Sequence, residues 1–204
     1  MSEILCVTNR RLCGEDFLRR LERIAAARPA GIILREKDLS AEDYRRLAER
    51  VLPLCAAREV PCILHSFPDV AMELGVDRIH LPLPVLRTLT DVQRGAFRVL
   101  GASCHSVPEA QEARALGATY LTAGHIFETD CKKGLPGRGP HFLRAVCAAV
   151  PLPVYAIGGI VPENFRAVLE AGARGACVMS GLMGCADPAA YLNEFEKAGG
   201  THEI

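Results

Sequence analysis

The sequence has no tryptophan, and aromatic residues make up only 5% of its 204 positions. Lysine plus arginine and aspartate plus glutamate balance at 24 each, so no net charge attracts nucleic acid or an anionic membrane. No apolar run approaches the roughly 20 residues of a membrane span. The opening stretch "MSEILCVTNRR" also lacks the basic region and apolar core of a signal peptide. We therefore expect no nucleic-acid partner and no membrane partner, whereas a small anionic ligand needs only local positive charge.

Paired cysteines are also missing. The nine cysteines are scattered singly, and no Cys-x-x-Cys pair forms half of a zinc cage. Several lie inside apolar runs such as "ILCVT" and "PCILH". An odd number of mostly core thiols is typical of a reducing compartment, so the sequence predicts a cytoplasmic protein without a metal site.

Half of the residues are hydrophobic, and they recur in short runs separated by longer amphipathic segments. The short runs are almost continuously apolar rather than alternating, which is typical of parallel strands buried on both faces. Eight such runs are present: "ILCVT" (4–8), "GIILR" (31–35), "PCILH" (61–65), "RIHLP" (78–82), "RVLGASC" (98–104), "TYLTAG" (119–124), "PVYAIG" (153–158) and "GACVMS" (175–180).

The longer segments carry the signals of helices. In "EDFLRRLERIAAA", apolar side chains recur at helical spacing. Ser40 is a predicted N-cap three residues before Asp43, and Gly117 and Gly172 are predicted C-caps.

Eight strands, most of them followed by a helix, predict an α/β fold: a single (β/α)8 TIM barrel with parallel strands. The alternative is a doubly wound open sheet. One domain is expected over residues 1–204, with a disordered tail of about six residues at the carboxyl terminus.

The active sites of such barrels lie at the carboxyl ends of the strands. In this sequence Gly158 and Gly159 follow "YAI", and Ser180 and Gly181 follow "CVM". Glycine lets backbone N–H groups approach phosphate oxygens, a helix amino terminus adds partial positive charge, and Ser180 adds a hydroxyl donor. These strand ends predict a phosphate site, although glycines after strands are also ordinary turn residues. A phosphorylated small molecule is therefore the expected ligand.

The segment "GHIFETDCKKGLPGRGP", which begins at Gly124, is long for a barrel loop. His125 lies at the strand end, and an imidazole can take and return a proton near neutral pH. Lys132 and the lysine after it could pair with a carboxylate or a phosphate, or form a solvated surface pair. Glu128 and Asp130 are expected to face solvent. The loop thus predicts His125 as the acid–base group of the site.

This loop, together with "LREK", "GASCHS", "YAIGGI" and "VMSG", resembles the thiamine phosphate synthase superfamily. The similarity runs in order from "CVTNR" to "VMSG", and the loop is most similar to the thiazole tautomerase branch. The resemblance implies a (β/α)8 barrel, a homodimer and a role in thiamine biosynthesis, and the reaction of the tautomerase branch needs no cofactor.

The two branches of this superfamily differ at identifiable places. The synthases hold Mg²⁺ on a pyrophosphate, typically through "NDR" after strand three and an acidic "GQED"-like turn after strand four. This sequence has "HSF" (65–67) and "LPLPVL" (81–86) there, so the carboxylates are missing. The synthases also usually carry Gly-Pro where this chain carries Gly124-His125. The resemblance therefore favours the tautomerase branch, in which this histidine carries the proton and no metal is used.

The activity so implied is the isomerisation of a dihydrothiazole carboxylate phosphate to the aromatic thiazole carboxylate phosphate, with His125 as the proton shuttle. The other residues expected to contact this phosphorylated thiazole are Gly158, Gly159, Ser180 and Gly181 at the phosphate, Arg35, Lys37 and Lys132 at the carboxylate, and Ser103 and Thr129. His65 and His105 are further candidates, whereas His80 is expected in the core. Two alternatives stay open: thiamine phosphate synthase itself, and a non-catalytic regulatory protein that binds the metabolite.

Overall fold

The computed structural model describes residues 3–129 and 134–200. Its eight strands form one closed barrel in which every neighbouring pair is parallel, and β1 closes the ring against β8. The strands are β1 (Glu3–Val7), β2 (Gly31–Leu34), β3 (Cys62–His65), β4 (Arg78–Pro82), β5 (Val99–Cys104), β6 (Tyr120–Gly124), β7 (Val154–Ile157) and β8 (Gly175–Val178). The predicted (β/α)8 barrel is confirmed. The open doubly wound sheet is wrong, because an open sheet leaves two strand edges that this ring pairs with each other.

Helices cover the outside of the barrel. They are α1 (Phe17–Ala26), α2 (Ala41–Ala56), α3 (Pro68–Glu73), α4 (Leu83–Thr88), α5 (Asp91–Gly95), α6 (Val107–Ala115), α7 (Gly139–Ala149), α8 (Pro162–Glu170), α9 (Ser180–Gly184) and α10 (Pro188–Gly199). Ser40 caps α2 as predicted, because its side chain accepts a hydrogen bond from the Asp43 amide. Gly117 and Gly172 follow α6 and α8 with left-handed φ angles of 89° and 93°, which is the C-cap conformation predicted for them.

Successive side chains of each strand point alternately into the barrel and towards the helices. On β1, Leu5 and Val7 belong to the cluster inside the barrel, whereas Ile4 and Cys6 pack in the larger core beneath the helices. The interior cluster is apolar or aromatic: Leu5, Val7, Ile33, Ile63, Tyr120, Tyr155 and Cys177. Nearer the carboxyl ends of β3 to β6, polar side chains gather instead: His65, His80, Ser103 and Thr122. The barrel therefore has an apolar base and a polar layer beneath its mouth.

The predicted strand limits run one or two residues too far at several carboxyl ends. Thr8 and Arg35 lie beyond β1 and β2, and Ser180 is the first residue of α9. The Thr8 hydroxyl donates to Glu36 and accepts from the Arg35 amide in the turn after β2. Apolar periodicity does not reveal such a role. The predicted tail falls largely on residues 201–204, which lie outside the described residues, while α10 continues to Gly199. No helix within the described ranges is long and apolar enough to cross a bilayer.

Candidate functional site

A cavity of about 550 Å³ opens at the carboxyl ends of the barrel strands. Nine of the ten predicted site residues line this cavity: Arg35, Lys37, Ser103, His125, Thr129, Gly158, Gly159, Ser180 and Gly181. The tenth, Lys132, lies outside the described residues. The fold thus brings together residues from five different strand ends, and their individual roles stay predictions. A cavity of this size lies within the range of small-molecule sites.

His125 directly follows β6, and hydrogen bonds on both sides fix its position. Its carbonyl accepts from the Arg138 amide at 3.0 Å, and the His105 ring donates through Nδ1 to the Gly124 carbonyl at 2.8 Å. The Gly124–His125 peptide bond is cis. His125 Nε2 lies 3.3 Å from the Leu135 carbonyl, and because a carbonyl can only accept, the hydrogen is on Nε2. In the neutral form of the ring, Nδ1 is therefore the nitrogen that holds a lone pair.

The turn after β7 is built from two glycines with left-handed φ angles, 97° at Gly158 and 66° at Gly159. A Cβ atom at Gly158 would overlap the Cβ of His125, and one at Gly159 would overlap Phe127. Glycine is thus required here for conformation and also for space. The absence of side chains lets the segment that carries His125 lie directly against this turn.

The end of β8 gives the cavity a second glycine-containing turn. Ser180 and Gly181 begin α9 and border the cavity, together with Tyr191 from α10. A Cβ atom at Gly181 would overlap the Tyr191 ring, so the ring covers this glycine. Tyr191 could not be found from the sequence, because nothing in the composition of α10 indicates which of its residues packs over a strand end.

A buried carboxylate anchors the turn after β2. Glu36 is 3% exposed, and it accepts hydrogen bonds from the Thr8 hydroxyl at 2.8 Å and from the Arg10 guanidinium at 3.0 Å. The Arg10 backbone amide also donates to both Glu36 carboxylate oxygens at 3.1 Å. Because Thr8 and Arg10 hold the Glu36 side chain in place, the turn that carries its neighbours Arg35 and Lys37 is fixed, and both of them line the cavity. The positive charge predicted for this rim is therefore positioned by a partly buried ion pair between Arg10 and Glu36, which the sequence analysis did not identify.

The floor of the cavity is a hydrogen-bonded polar cluster. His80 Nε2 lies 2.9 Å from Ser103 Oγ and 3.3 Å from Thr122 Oγ1, and His80 Nδ1 lies 2.9 Å from the Tyr120 hydroxyl. The ring of His65 stacks on that of His80 with centroids 5.7 Å apart. Burial lowers the pKa of His80 to about 3 and that of His65 to about 2, so both rings are neutral at cellular pH. The prediction that His80 is a core residue is correct for its burial but missed its bond to the cavity floor.

The donor set of the described residues does not fit the Mg²⁺ that the resemblance attributes to the synthases. His65, Ser66 and Phe67 follow β3, and Pro82 ends β4, so neither place offers a carboxylate. Within residues 3–129 and 134–200, Glu109 is the one carboxylate that lines the cavity, and no three His, Cys, Asp or Glu side chains cluster as metal ligands would. Hard divalent cations bind through several oxygen ligands, which this rim does not supply.

A closed parallel barrel with a cavity at the carboxyl ends of its strands defines a (β/α)8-barrel protein whose site lies where the enzymes of this class have theirs. The family model described as thiamine monophosphate synthase matches residues 4–182. The chain therefore belongs to the thiamine monophosphate synthase family, which is a family of thiamine-synthesis enzymes.

The chain is also similar to curated proteins and to solved structures. It is 37% identical over 199 residues to a thiamine-phosphate synthase of Roseiflexus castenholzii, covering 92% of this chain and 83% of the relative. It is 32% identical over 188 residues to one of Syntrophomonas wolfei, covering 89% and 88% of the two chains. Among solved structures, a thiamine phosphate pyrophosphorylase from Pyrococcus furiosus superimposes with a TM-score of 0.82 at 28% identity, covering 97% and 95% of the two chains.

Proposed function

We propose that this protein is a thiazole tautomerase that converts a dihydrothiazole carboxylate phosphate into the aromatic thiazole carboxylate phosphate. The observation that carries the proposal is His125, which lines the cavity and donates through Nε2 to the Leu135 carbonyl, while the strand ends that correspond to the metal-binding turns of the synthases lack carboxylates. A proton carrier without a metal site suits an isomerisation better than the displacement of a pyrophosphate.

The reaction moves one proton and changes no other atom. The proton on ring C2 is acidified by the carboxylate carbon, the imine and the conjugated exocyclic alkene. His125 Nδ1 removes it, the electron pair shifts through the ring to the exocyclic carbon, and the same imidazolium returns the proton there. The ring becomes aromatic, which supplies the driving force, and the substrate and product have the same formula. General acid–base help of this kind is typically worth about 10²–10⁴-fold in rate.

Two parts of the rim are suited to the two anionic groups of this substrate. The backbone N–H groups of Gly158, Gly159 and Gly181 are not shielded by side chains of their own and can donate to phosphate oxygens, and Ser180 adds a hydroxyl donor. Arg35 and Lys37 lie on the turn that Glu36 fixes and can hold the carboxylate.

The test is a proton NMR time course of the dihydrothiazole carboxylate phosphate in D₂O, with wild type and with His125→Gln. Wild type is expected to accelerate aromatisation, and the variant should lose about 10²–10⁴-fold of that rate. Binding of the aromatic product, measured by calorimetry, should change by less than about threefold, because glutamine keeps the polar surface. A variant that retains the wild-type rate would show that His125 is not the proton carrier.

Thiamine phosphate synthase is the second candidate, and the names of the relatives at 32% and 37% identity favour it. The discriminating assay supplies the pyrimidine diphosphate, the thiazole phosphate and Mg²⁺, and follows the formation of thiamine phosphate. We expect no turnover, because the described rim offers Glu109 alone as a carboxylate. Turnover at the rate of a family synthase assayed in parallel would replace the tautomerase proposal.

A further inference from the structure

Three residues lie in register across neighbouring strands inside the barrel. His80 of β4 is paired with Gly101 of β5, and Gly101 is paired with Tyr120 of β6. Strands two apart in a sheet are separated by about 9–10 Å, so side chains from β4 and β6 meet only across an empty middle position. A Cβ atom at Gly101 would overlap both the Tyr120 ring and His80 Nδ1. The glycine thus provides the gap in which Nδ1 and the Tyr120 hydroxyl come within 2.9 Å.

The direction of this hydrogen bond follows from burial. Tyr120 is 6% exposed, and among the described residues His80 Nδ1 is the hydrogen-bond partner that the structure gives its hydroxyl. A buried hydroxyl hydrogen requires an acceptor, so Tyr120 donates and Nδ1 accepts. A neutral imidazole carries one N–H, and the hydrogen of His80 must therefore be on Nε2. Burial lowers the pKa of His80 to about 3, so the ring does not gain a second N–H at cellular pH.

The tautomer of His80 determines whether the Ser103 hydroxyl donates or accepts a hydrogen bond at the cavity. Nε2–H donates to Ser103 Oγ at 2.9 Å, and the Thr122 hydroxyl donates to the same oxygen at 3.3 Å. A serine oxygen accepts two hydrogen bonds, and both places are then taken. The hydroxyl hydrogen of Ser103 is left to point away from both donors, towards the cavity that Ser103 lines.

We propose that Tyr120 and His80 are positioning residues that make Ser103 a hydrogen-bond donor to the ligand, so that the cavity floor selects molecules with an acceptor atom at that place. Apart from the phosphate, which the proposed function places at the turns after β7 and β8, the acceptors on the proposed substrate are a carboxylate oxygen and the unprotonated ring nitrogen, and this part of the inference rests on the proposed function. A ligand presenting an N–H or O–H group to Ser103 would leave two donors facing each other. Whether Ser103 acts as a donor depends only on the hydrogen bonds within the protein and not on the identity of the ligand.

The first experiment reads the tautomer of His80 without any ligand, by two-bond ¹H–¹⁵N correlation spectra of the whole protein. Wild type is expected to show a protonated Nε2 and an unprotonated Nδ1. Tyr120→Phe should lose this pure state and give a mixture of tautomers. Tyr155→Phe is the matched control, because it removes a hydroxyl from the same interior layer that bonds Glu3 and not His80; it should keep the wild-type tautomer. A protonated Nδ1 on His80 in the wild type overturns the proposal.

The second experiment measures affinity by calorimetry for the aromatic thiazole carboxylate phosphate and for the thiazole phosphate that lacks the carboxylate. Ser103→Ala should weaken binding of the carboxylate ligand about tenfold, and Tyr120→Phe should weaken it by a smaller factor. Binding of inorganic phosphate should be the same in all three proteins. If Ser103→Ala weakens both thiazoles, the acceptor is the ring nitrogen; if it weakens only the carboxylate ligand, the acceptor is that group. Unchanged affinity for both ligands refutes the donor role.

These readouts separate the donor role of Ser103 from the tautomerase activity. If the wild type binds neither thiazole, the proposed function fails, while the tautomer spectra still decide whether His80 makes Ser103 a donor. If the thiazoles bind and His80 carries its hydrogen on Nδ1, the further inference fails and the tautomerase proposal stands.

Discussion

Gly159 and Gly75 have nearly the same left-handed backbone, with φ angles of 66° and 65°, in different surroundings. A Cβ atom at Gly75 meets nothing within 4 Å, whereas one at Gly159 overlaps Phe127 and the Glu128 carbonyl. Both alanine variants bear the cost of the left-handed conformation, about 1–2 kcal/mol. Gly159→Ala must in addition displace the segment that follows His125.

We therefore expect Gly75→Ala to lower the free energy of unfolding by about 1 kcal/mol and to leave thiazole carboxylate phosphate binding unchanged. Gly159→Ala should lower it by about 3 kcal/mol or more and weaken that binding at least tenfold. Urea unfolding and calorimetry measure the two quantities. Equal behaviour of the two variants would mean that the turn after β7 has no special relation to the site.

At single positions, features that depend on residue type could be predicted from the sequence, whereas contacts that depend on the register between strands could not. The position of Gly158, Gly159 and His125 at the cavity could be predicted, because they follow strands at the end of the barrel where such cavities lie. The bond between His80 and Tyr120 could not, because it joins residues 40 apart in sequence and exists only when β4, β5 and β6 pair in one register. Glu36 was likewise missed as an anchor, since a carboxylate in a polar turn is normally solvated.

At the scale of elements, α1 and α9 are joined by one buried arginine. Arg20 is 2% exposed, and its Nε donates to the Leu182 carbonyl at 3.0 Å while its Nη2 lies 3.1 Å from Cys185 Sγ. Its neighbour Arg19 is on the same helix, yet its side chain is 76% exposed, and its Nε lies 3.8 Å from a Glu15 carboxylate oxygen. Arg20 therefore links α1 to α9, whereas Arg19 faces solvent, and comparing the two isolates the contribution of the buried link.

Replacing each arginine by methionine keeps the length of the side chain and removes the donors. Arg20→Met leaves the buried Leu182 carbonyl without its partner and should lower the free energy of unfolding by about 2–3 kcal/mol. Arg19→Met should change it by less than about 0.5 kcal/mol, because isolated surface ion pairs contribute little. Urea unfolding of both variants measures this, and a similar small effect in both would show that α9 does not depend on α1.

Elements were the best-predicted level of this structure. All eight strands were found from continuous apolar runs, because parallel strands covered by helices are buried on both faces. Their ends were less well placed: Ser180, for example, looks like the last residue of a strand and is the first of α9. A strand ends where a side chain or the first turn of a helix offers its backbone groups other hydrogen bonds, and the pattern of apolar residues does not show where that happens.

At the scale of the whole molecule, the neutral histidines of the barrel interior make stability depend on pH. Burial lowers the pKa of His65 to about 2 and that of His80 to about 3, whereas an unfolded histidine has a pKa of about 6.5. Below pH 6.5 the unfolded chain binds protons that the folded chain does not, so acid favours unfolding. The stabilisation is complete above pH 6.5 and is lost progressively as the pH falls.

Between pH 7 and pH 5, each histidine should account for a loss of about 2 kcal/mol in the free energy of unfolding. Most carboxylates titrate nearer pH 4 and contribute little in this window. Urea unfolding at both pH values gives the difference. His80→Asn is expected to remove about half of it, whereas His141→Asn, at an exposed position of α7, keeps it in full. A wild-type difference below about 1 kcal/mol contradicts neutral burial of the pair.

The ring closes through the pairing of Glu3 to Cys6 with Gly175 to Val178, which joins nearly the two ends of the chain. A growing polypeptide therefore has no complete barrel on the ribosome until its eighth strand has emerged, and before that moment β1 has an unsatisfied edge. Contacts between residues so far apart in sequence slow folding and leave apolar strands with unpaired edges in the folding intermediates. Translation that stops short of Gly175 should hence yield insoluble fragments rather than a smaller working molecule.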